Sequence, residues 1–109
     1  MGYDELLVDR IRAMVWNEPG ISERKRFGCQ AFLVNKNFAC GAFVDRLIVR
    51  MPVEEYPAAL QQPGVSEFDL TGKPSRGWVL VDQDVLQTEN DLRRWVEIGT
   101  QFARTLPDK

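Results

Sequence analysis

A chain of 109 residues, 44% of them hydrophobic, suits one domain with a core large enough to need no disulfide or metal staple. Its net charge of −2 gives no overall pull toward nucleic acid, and its lack of histidine excludes Ser-His and Cys-His nucleophile pairs, HExxH zinc sites and Cys/His fingers. The charge is uneven: residues 1–50 hold eight Lys/Arg against six Asp/Glu, and residues 51–109 hold six against ten, which leaves room for a local basic surface.

The acidic start "MGYDELLVDR" is unlike a signal peptide, and no apolar run approaches the ~20 residues that span a bilayer, so a cytoplasmic protein off the membrane is expected. Residues 4–16 then place Leu7, Ile11, Met14 and Val15 on one side at helical spacing, with acids in the first turn. The following "NEPG" stops that helix. Strands are predicted over Phe27 to Val34, Asn37 to Val44 and Leu47 to Met51, joined by the pairs Asn35-Lys36 and Asp45-Arg46. Opposing Val34 to Asn37 and Val44 to Leu47 puts Phe27, Cys29, Ala31, Leu33, Phe38, Cys40, Ala42, Val44, Val49 and Met51 on one apolar face. The other face then carries Gln30, Phe32, Asn37, Phe43, Arg46, Ile48 and Arg50.

Further on, "VEEYPAALQQPG" predicts a short helix starting near Glu54 or Glu55, with Pro57 in its first turn. A strand at Ser66 to Leu70, a turn "TGKPSRG" and a strong strand "WVLVD" at residues 78–82 follow. Thr88 is a helix cap ahead of the stripe Leu92, Trp95, Val96, Gly99, Phe102, Ala103 and Leu106, which Pro107 closes. The order is helix, three strands, helix, two strands, helix. It describes a single α+β domain over residues 1–109, two layers deep, in which a five-stranded, mainly antiparallel sheet carries its helices on one face.

Candidate chemistry is sparse. In this register Cys29 and Cys40 are diagonal neighbours on the buried face, and they read as core packing in a reducing compartment. Two cysteines without imidazole or further soft ligands make no metal site, and neither a metal nor a cofactor is expected. Gly72-Lys73 lacks the upstream glycine and following Ser/Thr of a phosphate loop and reads as a turn, while Glu54-Glu55 and Asp82-Asp84 sit at element ends where dipole and turn roles suffice. No enzyme is indicated. The run Arg24-Lys25-Arg26 reads first as a solvated strand entrance, with weak nucleic-acid binding as the alternative. The mixed face is the informative one: Phe32, Phe43 and Ile48, fringed by Arg46 and Arg50, predict a surface for a homodimer or a protein partner.

Several stretches together resemble the N-terminal domain of the TfoX/Sxy family of competence regulators: "RFGCQAFLVNKNFACGAFVDRLIVR", "EEYPAAL", "FDLTGKP", "GWVLVD" and "LRRWVEIGTQFARTLP". The resemblance covers nearly the whole chain and rests on order and spacing more than on any single piece. It implies the same helix-β3-helix-β2-helix order. It places Phe27, Gly28, Gly41, Gly72, Gly77 and Trp78 at family motif positions, with roles in packing and turns. Cys29 stands where the family pattern has a second glycine. The resemblance further implies a stand-alone version of a domain that regulates transcription of DNA-uptake genes together with a cyclic-AMP receptor type activator.

Overall fold

The computed structural model describes residues 4–26, 29–69 and 75–107. In chain order it holds α1 (Glu5–Val15), β1 (Ile21–Arg26), β2 (Cys29–Val34), β3 (Asn37–Phe43), β4 (Arg46–Arg50), α2 (Tyr56–Leu60), β5 (Val65–Glu67), β6 (Trp78–Asp82) and α3 (Glu89–Arg104). All neighbouring strands pair antiparallel, in the order β1-β2-β3-β4-β6-β5. The α+β class therefore holds, with six strands in the sheet where five are predicted. The additional strand is β1, whose sequence "ISERKR" has no apolar alternation to announce it.

Local chemistry sets the element ends. Asp4 Oδ1 accepts from the Leu6 and Leu7 N–H groups at 2.8 and 3.4 Å and so caps α1, which buries Leu7, Val8, Ile11 and Val15. The Thr88 hydroxyl accepts from Asp91 N–H at 3.1 Å and starts α3, as its sequence predicts. A turn of 3-10 helix over Val53–Glu55 leads into α2, with Pro57 in the first turn. Asn35 and Lys36 both adopt positive φ, 51° and 69°, the mirror-image turn that matches strand twist in a two-residue hairpin.

That hairpin begins in the predicted register, Val34 opposite Asn37 and Leu33 opposite Phe38, and then slips by one residue. Beyond the slip Phe32 faces Cys40 and Ala31 faces Gly41, which leaves Ala39 as the extra residue of a β-bulge. Because side chains alternate along a strand, a one-residue slip exchanges faces for everything past it. Phe32, predicted on the mixed face, instead joins Cys40, Ala42, Leu47, Val49, Val79 and Val81 in the core that all three helices cover. The next hairpin also differs: Phe43 pairs with Arg46, so its loop is Val44-Asp45, not Asp45-Arg46.

The second sheet face is closed too. Cys29, Ala31, Leu33, Phe38, Ile48, Phe68 and Leu80 form a second buried cluster against which Phe43 and Trp78 pack. Phe68, from the segment after β5, lies edge-on to Phe43 with ring centres 6.0 Å apart and stacks near Trp78 at 6.1 Å; Phe38 meets Trp78 at 4.6 Å. Ile48 is consequently 0% exposed.

The bulge also separates the two thiols, Cys40 under the helices and Cys29 on the opposite face, and both are buried. Burial pushes the Cys40 thiol up to about 12, with the neighbouring Cys29 adding to the effect. A group raised this way contributes stability in full below the ordinary thiol value of 9.0, and that contribution falls as pH climbs toward about 12. Native protein should therefore react with a thiol reagent far more slowly than guanidinium-unfolded protein, and mild oxidant should form no internal disulfide while the fold is intact. Rapid reaction of either thiol in the native state would contradict this arrangement.

Candidate interaction surface

The five residues expected to share an exposed surface are distributed over both faces and both ends of the sheet. Phe32 lies in the helix-covered core at 0% exposure, and Ile48 is sealed beneath the aromatic cluster. Phe43 is half-buried against Phe68. Arg46 and Arg50 stand at opposite ends of β4. Arg46 is exposed and pairs with Asp82 at 3.1 Å, whereas Arg50 is half-buried between Trp78 and Phe102. The slip carries Phe32 inward and the aromatic cluster seals Ile48, so with both faces covered an apolar residue on either face finds a core.

Two exposed apolar side chains, Leu6 and Val44, lie at one end of the molecule, where α1 begins and the β3–β4 hairpin turns. Asp4 N–H donates to the Val44 carbonyl at 2.6 Å, and Gln83 Nε2 donates to Asp4 Oδ2 at 3.0 Å, which ties the start of α1 to both the hairpin tip and the segment after β6. The Gln83 contact first, and after it the capping bonds from the Leu6 and Leu7 N–H groups, hold the Asp4 carboxyl below its ordinary value. On this frame Leu6 is 74% exposed and Val44 is 55% exposed. Phe43, Val44, Asp45 and Arg46 line a hollow of about 230 Å³ at the tip.

Val44 has φ of 56°, and a β-branched side chain in that left-handed region is disfavoured by roughly 1–2 kcal/mol. Asparagine or glycine would satisfy the turn with less strain. The chain instead holds an apolar side chain out toward solvent at a strained position. Sequence reading missed it because valine is a residue that hairpin rules place in strands, and the adjoining Asp45-Arg46 looked like the loop.

The basic run lies on β1, at the sheet edge. Its members alternate, so Arg24, opposite Ala31, and Lys25, opposite Gln30, leave toward different faces and form no continuous stripe. The preceding Glu23 is gripped by Arg12, whose Nε and Nη2 donate at 2.7 and 2.8 Å, and by Gln30 at 2.9 Å. Arg26 pairs with Cys29 through the backbone, and its side chain lies outside the described residues.

Of the family motif positions, Phe27, Gly28 and Gly72 also lie outside the described residues. Gly41 sits where a Cβ would come within 2.7 Å of the Gln30 carbonyl oxygen. Gly77 has φ of 89° and accepts from Met51 N–H at 2.7 Å, a conformation that side chains resist. Trp78 is the central ring of the aromatic cluster. No group of three or more metal-ligating side chains occurs among the described residues, and none of their helices is long and apolar enough to cross a membrane.

Neither curated proteins nor solved structures gave a significant match to the chain. The family model described as the TfoX N-terminal domain matches residues 16–103, from the end of α1 through nearly all of α3. That span takes in every strand of the sheet and both hairpins, and the chain belongs to the TfoX N-terminal domain family.

Proposed function

We propose that this domain is a non-enzymatic interaction module of the competence-regulator type, working in the cytoplasm by self-association or by docking to a transcription regulator. Its contact surface is the patch made by Leu6, Val44 and the exposed part of Phe43, with the Arg46–Asp82 pair beside it. The observation that carries this reading is Val44. Backbone strain that a commoner residue would relieve, kept together with an exposed apolar side chain, is the pattern of a position held for contact and not for folding. Exposed apolar side chains close to one another with a polar margin are what partner surfaces present.

The two roles of Val44 make opposite demands, and that yields a test. Val44→Asn should leave the fold as stable as wild type or stabilise it by about 1 kcal/mol, because asparagine tolerates the left-handed region. The same substitution, alone or with Leu6→Glu, should weaken association about tenfold or more, as loss of an interface anchor does. Light scattering on a size-exclusion column reads self-association, and capture from a native lysate with wild-type and variant baits reads docking. A monomeric wild type whose captured proteins are unchanged by both substitutions would defeat the proposal. Nucleic-acid binding through Arg24 and Lys25 ranks second, since strand alternation divides their charge between two faces.

A further inference from the structure

At the other end of β4, Arg50 is placed differently from the remaining arginines. Its guanidinium carbon lies over the Trp78 ring at 5.3 Å and over the Phe102 ring at 5.5 Å from the centroids, within cation–π range of both. Such contacts engage the flat faces of the guanidinium and leave its N–H edge to other partners. Among the described residues Arg50 donates to no acceptor and has no carboxylate within ion-pair distance. Arg10, also half-buried, directs its Nη2 at the Leu86 carbonyl at 2.7 Å. Arg12, Arg46 and Arg104 pair with Glu23, Asp82 and Glu18, while Arg24, Arg76 and Arg93 are exposed to water. Among the described residues Arg50 alone combines partial burial with an unanswered donor edge, and burial holds its ionisation below the ordinary arginine value.

Phe102 also forms part of the wall of a hollow of about 310 Å³, shared with Pro52, Glu55, Ile98, Gln101 and Thr105. Pro52 enters that wall two residues after Arg50. The walls are apolar where Pro52, Ile98 and Phe102 contribute, and the Gln101 amide and the Thr105 hydroxyl add polar groups. A cation without a counter-charge therefore lies beside a partly apolar hollow, with an aromatic ring common to both.

We propose that Arg50 and this hollow form a binding site for a carboxylate carried on an apolar group. The carboxylate receives the free N–H edge of Arg50 in a two-pronged contact, and the hydrocarbon body lies against Phe102, Ile98 and Pro52. A phosphate dianion suits the site less well. It would find one arginine in place of several donors, and the Glu55 carboxylate on the rim repels two charges more than one.

The test uses 3-phenylpropionate, its amide and inorganic phosphate, each titrated into isotope-labelled protein while the Arg50 Nε–H and Trp78 indole resonances are followed. We expect 3-phenylpropionate to move both resonances saturably and the amide and phosphate to leave them in place. Read at the Trp78 indole, which both variants keep, Arg50→Gln should abolish the response and Arg50→Lys, which keeps the charge but not the fork, should weaken it about tenfold. Gln101→Glu, at an exposed position that the fold does not need, adds a second rim carboxylate and should weaken binding several-fold even if the Arg50 variants unfold. No saturable shift in wild type, an equal response to phosphate, or a response unaltered by Gln101→Glu would overturn the assignment.

Discussion

Phe32→Ala should destabilise the domain by about 3–5 kcal/mol, the range for removing a large aromatic side chain from a core that cannot collapse around the gap. The ring is 0% exposed, stands opposite Cys40 past the bulge, and packs in the cluster that joins α1, α2 and α3 to the sheet. For a domain whose total stability falls in the usual range of about 5–15 kcal/mol, that loss is a large fraction. Urea unfolding would show it as a lower midpoint with little change in slope. Phe43→Ala is the control: its ring is half-buried and keeps one edge-on neighbour, so its removal should cost clearly less. The comparison decides between two registers. In the unslipped hairpin with its mixed face open to solvent, as the sequence predicts, Phe32 and Phe43 lie together on that face and would be lost at similar small cost. A Phe32→Ala protein within about 1 kcal/mol of wild type would restore that register and remove the basis of the corrected surface.

Helices and caps were legible because their signals are local. The apolar spacing of α1 and α3, the Thr88 hydroxyl and the Asn35-Lys36 turn each follow from a few neighbouring residues, and each is where the sequence puts it. The strands were legible in position but not in face. "FACGAF" is apolar at every position, and a strand covered on both faces has no polar residue to mark a slip, so both registers bury apolar groups equally well. The covering of the second face depends on Phe68 and Trp78, which are remote in sequence from Ile48. The edge strand β1 escaped for the opposite reason. Its exposed run of Ser22, Glu23, Arg24 and Lys25 is what keeps an edge from pairing with another chain, and such a strand shows no hydrophobic period. The interaction patch was hidden by the same rule that found the hairpin, because valine at a left-handed position contradicts turn preference. The Arg50 site needed three separated residues, Arg50, Trp78 and Phe102, to be brought together by β4, β6 and α3.

Gly99→Ala should also destabilise the domain, against what its secondary structure alone predicts. Within a helix, replacing glycine by alanine ordinarily gains about 1 kcal/mol. Gly99, however, is where α3 rests on the bulge of β3. A Cβ at this position would press on the Ala39 carbonyl oxygen and come within 2.9 Å of its carbonyl carbon. The obstacle is backbone, so no rotamer change relieves it. The slip that moved Phe32 inward also turned Ala39 toward α3, where it packs with Val34 and Ala103, and the absence of a side chain at Gly99 is what lets the helix lie that close. To admit the methyl, α3 must lift and loosen the packing of Trp95, Val96 and Ala103, which are at most 2% exposed. Overpacking of this kind costs about 1–3 kcal/mol or more, so the clash outweighs the propensity gain and a net loss of about 1–2 kcal/mol is expected. Glu97→Ala, two residues away on the exposed side of the same helix, should be nearly neutral and isolates the effect of position. If Gly99→Ala instead matched or exceeded wild type in thermal unfolding, α3 would not be seated on Ala39, and the bulge would lose the helix contact that explains its place in the fold.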